Sequence, residues 1–92
     1  MKVCFFHLMP YQDLPANFED QYRSAWVDAP NRLFDPEKCQ SYYDDYLEEL
    51  QFADSVGFDG VCVNEHHNNA YGLMPSPNLI ASVLSRTTSH GA

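Results

Sequence analysis

Positive charge is scarce in this sequence. Five lysines and arginines stand against thirteen acids, a formal net charge of -8. That balance excludes nucleic acid and anionic membrane surfaces as partners, because both are gripped through positive charge. Cysteine is few and badly spaced for cross-linking. Cys4, Cys39 and Cys62 are an odd number with no CxxC pair, which argues against a disulfide framework or a zinc ribbon and favours the reduced thiols of a cytoplasmic protein. No apolar run approaches the roughly 20 residues of a membrane-spanning helix. The N-terminal MKVCFFHLMP is broken by His7, stopped by Pro10 and followed by no small-residue cleavage site, so it does not read as a secretory signal. Glycine is also low, at four, and neither a Gly-rich loop nor a basic cluster is available to cradle a phosphate.

What is present is globular material. Apolar residues make up 45% of the chain, with six Phe, six Tyr and one Trp, enough for a core and too many for a disordered tail. The 92 residues correspond to one small domain or a part of a larger one.

The spacing predicts strand, helix, strand, helix. Val3 to Met9 is a nearly continuous apolar run, the pattern of a strand covered on both faces in a parallel sheet. Cys4 and Cys62 fall inside such runs and read as small buried hydrophobes. Tyr11 to Asp35 forms a connection of about 25 residues, longer than the roughly 12–15 of a plain loop, and is expected to be functional or to carry its own structure. Within it Phe18, Tyr22 and Trp26 repeat at i, i+4 and i+8 behind Asn17, a helical stripe with a candidate N-cap. It reads either as a small packed helix or as an aromatic lid over a site. Asp35-Pro36 has the cap-plus-proline form of a helix start, and Gly57 that of a stop. Tyr43, Tyr46, Leu47, Leu50 and Ala53 mark the buried stripe between them, with Asp44, Asp45, Glu48 and Glu49 on the solvated side. A second strand follows at Val61 to Asn64. Ser76-Pro77 then opens a second main helix with an apolar face of Leu79, Ile80, Val83 and Leu84. The tail Arg86 to Ala92 leads into no further strand. A strand–helix–strand order implies a parallel pair and an α/β protein.

The chemistry gathers at Val61 to Gly72, VCVNEHHNNAYG. An apolar strand runs straight into a carboxylate, two imidazoles and two amides, and parallel sheets place functional groups at the carboxyl ends of their strands. Side-chain alternation sends Glu65 and His67 one way, Asn64 and His66 the other. Adjacent carboxylate and imidazole groups suit proton handling. They suit equally a pair of hydrogen-bonded histidines that only fix the loop. A metal shared with His7 from the neighbouring strand has no HxH or HExxH spacing behind it.

The stretches MKVCFFHLMPY, LFDPEK, FADSVGFDG and above all VNEHHNNAYGLMPSPNLIAS resemble the N-terminal part of luciferase-like flavin-dependent monooxygenases, over residues 1–88. The resemblance implies that residues 1–92 are the N-terminal portion of a (β/α)8 TIM barrel, its first two βα units, with a long insertion after strand one. It implies reduced FMN as cofactor, dioxygen and a small organic molecule as substrates, a flavin reductase as supplier and a homo-oligomeric full-length form. It implies that His66 lies beside the flavin ring as the catalytic proton-transfer group. Glu65 would lie at the flavin edge, and Leu8 and Met9 where strand one meets cofactor or substrate, with His67 in support. Related deazaflavin-dependent dehydrogenases, which transfer hydride without oxygen, are the alternative within the enzyme class. A non-catalytic remnant or interaction module is the alternative outside it. The phosphate-binding region of such enzymes has no counterpart here. The chain alone is therefore expected to bind FMN poorly, to be inactive as an oxygenase, and to self-associate or stay loosely folded, with an unpaired strand edge.

Overall fold

In the computed structural model, residues 1–90 are described; Gly91 and Ala92, the end of the predicted trailing segment, lie outside the described residues. The chain runs β1 (Cys4–His7), α1 (Phe18–Gln21), a 3-10 turn (Asn31–Leu33), α2 (Pro36–Ser55), β2 (Gly60–Val63) and α3 (Pro77–Thr87). The strands pair in parallel, from Cys4 opposite Gly60 to His7 opposite Val63.

The helix α2 follows from its punctuation. The Asp35 carboxylate accepts the backbone N–H of Glu37 at 3.0 Å, and Pro36 takes the first turn, where no N–H is needed. Gly57 ends the helix region with φ of 99°, a conformation that L side chains rarely adopt. The buried stripe is Cys39, Tyr42, Tyr46, Leu50 and Ala53, with Tyr43 and Leu47 half-buried along its border. It begins a turn earlier than the expected stripe, because Tyr42 packs edge-on against Tyr11 of the long connection. Asp54, buried at the end of α2, accepts the N–H groups of Ser89 (2.8 Å) and His90 (2.9 Å), so the segment after α3 is tied back to α2.

The expected barrel portion is not what the chain builds. Among the described residues there are three α-helices and a single two-stranded sheet, too small and too sparse for two units of a (β/α)8 barrel. The expectation of strands covered on both faces fails with it. Phe5, His7 and Met9 turn toward α2 and the core, whereas Cys4, Phe6, Leu8 and Cys62 are exposed on the opposite face. Phe6 keeps 54% and Leu8 48% of its surface open. The reason is a missing layer: α2 and α3 supply apolar surface to one side of the sheet only.

Two helix expectations are also corrected. α1 stops at Gln21 instead of continuing to Trp26, and Asn17 makes no side-chain capping bond. Phe18 and Tyr22 do touch, with ring centroids 4.9 Å apart, but Trp26 leaves the stripe for a different partner. In α3 only Ile80 and Leu84 are buried; Leu79 and Val83 face solvent, and Ser76 makes no side-chain cap.

Candidate functional site

The two strands end side by side, and each hands its last polar group to a defined partner. The His7 Nδ1 accepts the backbone N–H of Met9 at 2.9 Å, which leaves Nε2 to donate to the Glu49 carboxylate at 2.7 Å. The hydrogen bonds thus select one neutral tautomer and commit both ring nitrogens. Met9 itself sits at φ of 47°, a left-handed conformation uncommon for a residue with a long side chain. Full burial of that side chain in the core holds it there. From β2, the Asn64 side-chain NH2 donates to the Leu8 carbonyl at 2.7 Å and locks the two strand ends together. The Asn64 Oδ1 and the Tyr42 hydroxyl are buried without a hydrogen-bond partner among the described residues.

The loop after β2 folds back over this edge. Pro10 and Gly72 form an antiparallel bridge: Tyr11 N–H donates to the Tyr71 carbonyl (2.7 Å) and Leu73 N–H to the Met9 carbonyl (3.0 Å). Tyr43 and Tyr46 of α2 donate their hydroxyls to the Leu73 and Pro10 carbonyls, so both sides of the bridge are tethered to the same helix. Burial raises both phenols above their usual range. It does the same to the Cys39 thiol one turn earlier.

His66 stands in the fold of this loop. Its N–H donates to the Met74 carbonyl at 2.9 Å, and Gly72 lies so close that a Cβ there would be 2.7 Å from the His66 Cβ. The Trp26 indole stacks on the imidazole, with ring centroids 4.5 Å apart and 30° between planes. The same indole meets the Tyr71 ring edge-on at 4.5 Å. Asn69 ties the two segments together, its NH2 donating to the Trp26 carbonyl and its Oδ1 accepting the Tyr71 N–H at 2.9 Å. Ala70 N–H reaches the Asn31 side chain at 3.3 Å.

The candidate residues are therefore divided between different environments. Glu65 and His67 pair at 2.6 Å on the exposed outer side, where screening leaves such a pair little energetic weight. His66 lies against Trp26 instead; β2 ends at Val63, so the side-chain alternation expected of a continued strand does not set its direction. Leu8 is exposed on the open sheet face, and Met9 is wholly in the core, so its side chain meets protein and not a ligand. His7 is held by Glu49, and among the described residues no three His, Cys, Asp or Glu side chains are gathered as metal ligands. For a phosphate-bearing cofactor such as FMN the basic side chains are dispersed: Lys38 is paired with Asp13 (3.3 Å), Arg23 with Asp28 (3.6 Å) and Arg32 with the Tyr22 hydroxyl (2.8 Å). None forms a phosphate cradle.

Sequence reasoning missed the partners of the site more than its members. The Trp26 stack, the His7–Glu49 pair and the Asn64–Leu8 clamp join residues 40 to 56 positions apart, and no local pattern announces such contacts. Gly72 carried a local signal, a glycine six residues beyond His66. Compared with known families, with curated proteins and with solved structures, the chain matches none.

Proposed function

We propose that this protein takes part in a flavin-dependent monooxygenase reaction and supplies the proton-handling side of the ring site, with His66 as the catalytic group. One observation carries the reading. Of the three histidines near the strand ends, His66 alone has no hydrogen bond to either ring nitrogen among the described residues, whereas His7 is committed to Met9 and Glu49 and His67 to Glu65. An imidazole that is oriented by stacking and still has both nitrogens uncommitted is suited to exchange a proton with a bound molecule. The resemblance of NEHHNNAYG to the flavin-edge segment of luciferase-like enzymes names the ring.

Reduced FMN, when bound, would supply the two electrons that activate dioxygen, one oxygen atom going to a small organic substrate and the other leaving as water. The chain's own part is to orient His66 through Gly72 and the Met74 carbonyl, with Glu65 at the ring edge and His67, paired with it, in support. The phosphate finds no matching donors here, so recognition rests on the ring. Two measurements test this. Reduced FMN is mixed with aerated buffer, with and without a large excess of the chain, since binding without phosphate donors is expected to be weak. The excess chain is expected to change the time course of reoxidation without oxygenating a substrate, and His66→Ala to abolish the change. Riboflavin and FMN are expected to bind within about threefold of each other, since a phosphate contact worth a charge-assisted hydrogen bond of ~1.5–3 kcal/mol would separate them by more than tenfold. Identical traces with and without the chain sink the reading.

A second reading, an interaction module, is favoured by the open sheet face. Phe6 and Leu8 lie exposed on that face, with 54% and 48% of their surface open. Sedimentation of the purified chain decides whether that surface draws two copies together; a monomer at high concentration removes self-association.

A further inference from the structure

The contact between Trp26 and His66 places an aromatic ring where a ligand of the proposed site would have to stack. We infer that Trp26 is a displaceable plug: its indole occupies the imidazole face that a planar heteroaromatic ligand takes, and the ligand binds by pushing the Trp26 segment off the loop. The ring's identity as a flavin rests on the reading above, while the displacement rests on the contacts themselves.

The plug is built to leave cheaply. Phe18 and Cys39 are buried, yet not one residue between them is, over a stretch that includes Trp26. Removing such a segment exposes little core, and segments of that kind occupy the low-stability end of local opening. Apart from the two ring contacts of Trp26 itself, with His66 and Tyr71, it is tied to the loop by polar bonds: the Trp26 carbonyl to Asn69 and the Asn31 side chain to Ala70 N–H. Val27, next to the indole, keeps 77% of its surface exposed and adds no anchor.

The seat stays formed without the plug. His66 is fixed by its N–H to the Met74 carbonyl and by close contact with Gly72, and the loop beneath is tied by the Pro10–Gly72 bridge to α2. None of these bonds involves residues 22–30. A ring that replaces the indole therefore inherits an oriented imidazole face and the edge of Tyr71, the two groups the indole now touches. The occupant this geometry accepts is flat, aromatic and of about the width of a fused bicyclic ring.

Trp26 is the only tryptophan in the chain, so its emission reports the stack without ambiguity. Two planar probes, FMN and the unrelated heteroaromatic caffeine, are titrated into the full chain. Trp26 emission and acrylamide quenching are followed, with binding measured separately by equilibrium dialysis. Both probes are expected to shift the emission to longer wavelength and open the indole to quencher. Trp26→Ala is expected to bind both about 2- to 13-fold tighter, the weight of one aromatic pair in an equilibrium, with Trp26→Phe between the two. In the free chain the His66 ring protons are expected to lie upfield under the indole and to lose that displacement in Trp26→Ala. FMN binding with Trp26 emission unmoved and equal affinity in Trp26→Ala overturns the plug and leaves the flavin reading standing. Displacement by caffeine with no binding of FMN upholds the plug and overturns the flavin. Failure of both probes to bind either variant overturns the plug.

Discussion

Gly72 and His66 are so closely apposed that the missing Cβ is a structural element: an added methyl at Gly72 would stand 2.7 Å from the His66 Cβ and 2.9 Å from its Cγ. The side chain of the candidate catalytic residue thus occupies space that only glycine leaves. Gly72→Ala is expected to force His66 and the Pro10–Gly72 bridge to move, at ~1–3 kcal/mol, the usual range for overpacking. Urea denaturation reads the loss, and the upfield shift of the His66 ring protons reads the displacement. An alanine variant with parental stability and an unmoved His66 spectrum would refute the contact.

The His7 imidazole satisfies the backbone N–H of Met9 inside the core. His7→Leu keeps the volume apolar and leaves that N–H without a partner, so a loss of ~1–3 kcal/mol is expected. Glu49→Gln, whose side chain is half-exposed and can still hydrogen-bond to Nε2, is expected to cost under ~1 kcal/mol. Equal effects for the two variants would show that the buried N–H is not what His7 serves.

At Met9 two effects oppose each other. Glycine would relieve the positive φ of 47°, worth about 1–2 kcal/mol. It would also empty the site of a fully buried side chain, for which ~2–5 kcal/mol is the cost of Met→Ala. Burial wins, and Met9→Gly is expected to lower stability on balance. A higher denaturation midpoint in the variant would mean that strain dominates.

The helix α2 depends on its cap. Asp35→Ala removes the acceptor for Glu37 N–H and is expected to cost about 1 kcal/mol. Asp35→Asn, which retains a capping oxygen, is expected to restore most of it. Thermal melts of the two variants side by side make the comparison.

Alkaline pH should loosen the loop before it melts the helices. Burial raises the Tyr43 and Tyr46 phenols and the Cys39 thiol above their unfolded values. A raised group keeps its proton in the folded chain where the unfolded chain has lost it. Its contribution is therefore intact below the unfolded pKa, about 8.5 for Cys and about 10 for Tyr, and is lost as pH rises through the folded value. Deprotonation also removes the hydroxyl donors held by Leu73 and Pro10. The melting temperature is expected to hold up to about pH 8.5 and fall steeply above about 10. Tyr43→Phe/Tyr46→Phe starts less stable and falls more gently. Parallel curves would remove the two tyrosines as the cause.

Local chemistry accounts for what was legible before any coordinates. Asp35-Pro36 and Gly57 bound α2 because a capping carboxylate, a proline at the first turn and a glycine at positive φ act within a few residues of chain. The apolar runs around residues 4 and 61 likewise became a parallel pair, since a helix between two strands leaves room for the crossover. Layering and long-range contact were settled by packing instead. One face of β1 is open and the other buried, although its run of apolar residues looks alike on both, because burial depends on which neighbours arrive and not on the strand. Trp26 sits at helical spacing from Phe18 and Tyr22 and still stacks on His66, 40 positions away. Its local preference for one more turn of helix is worth a few tenths of a kcal/mol per residue. The tertiary contacts of a large aromatic ring outweigh that, and so the residue that covers the candidate site was decided only when the chain closed on itself.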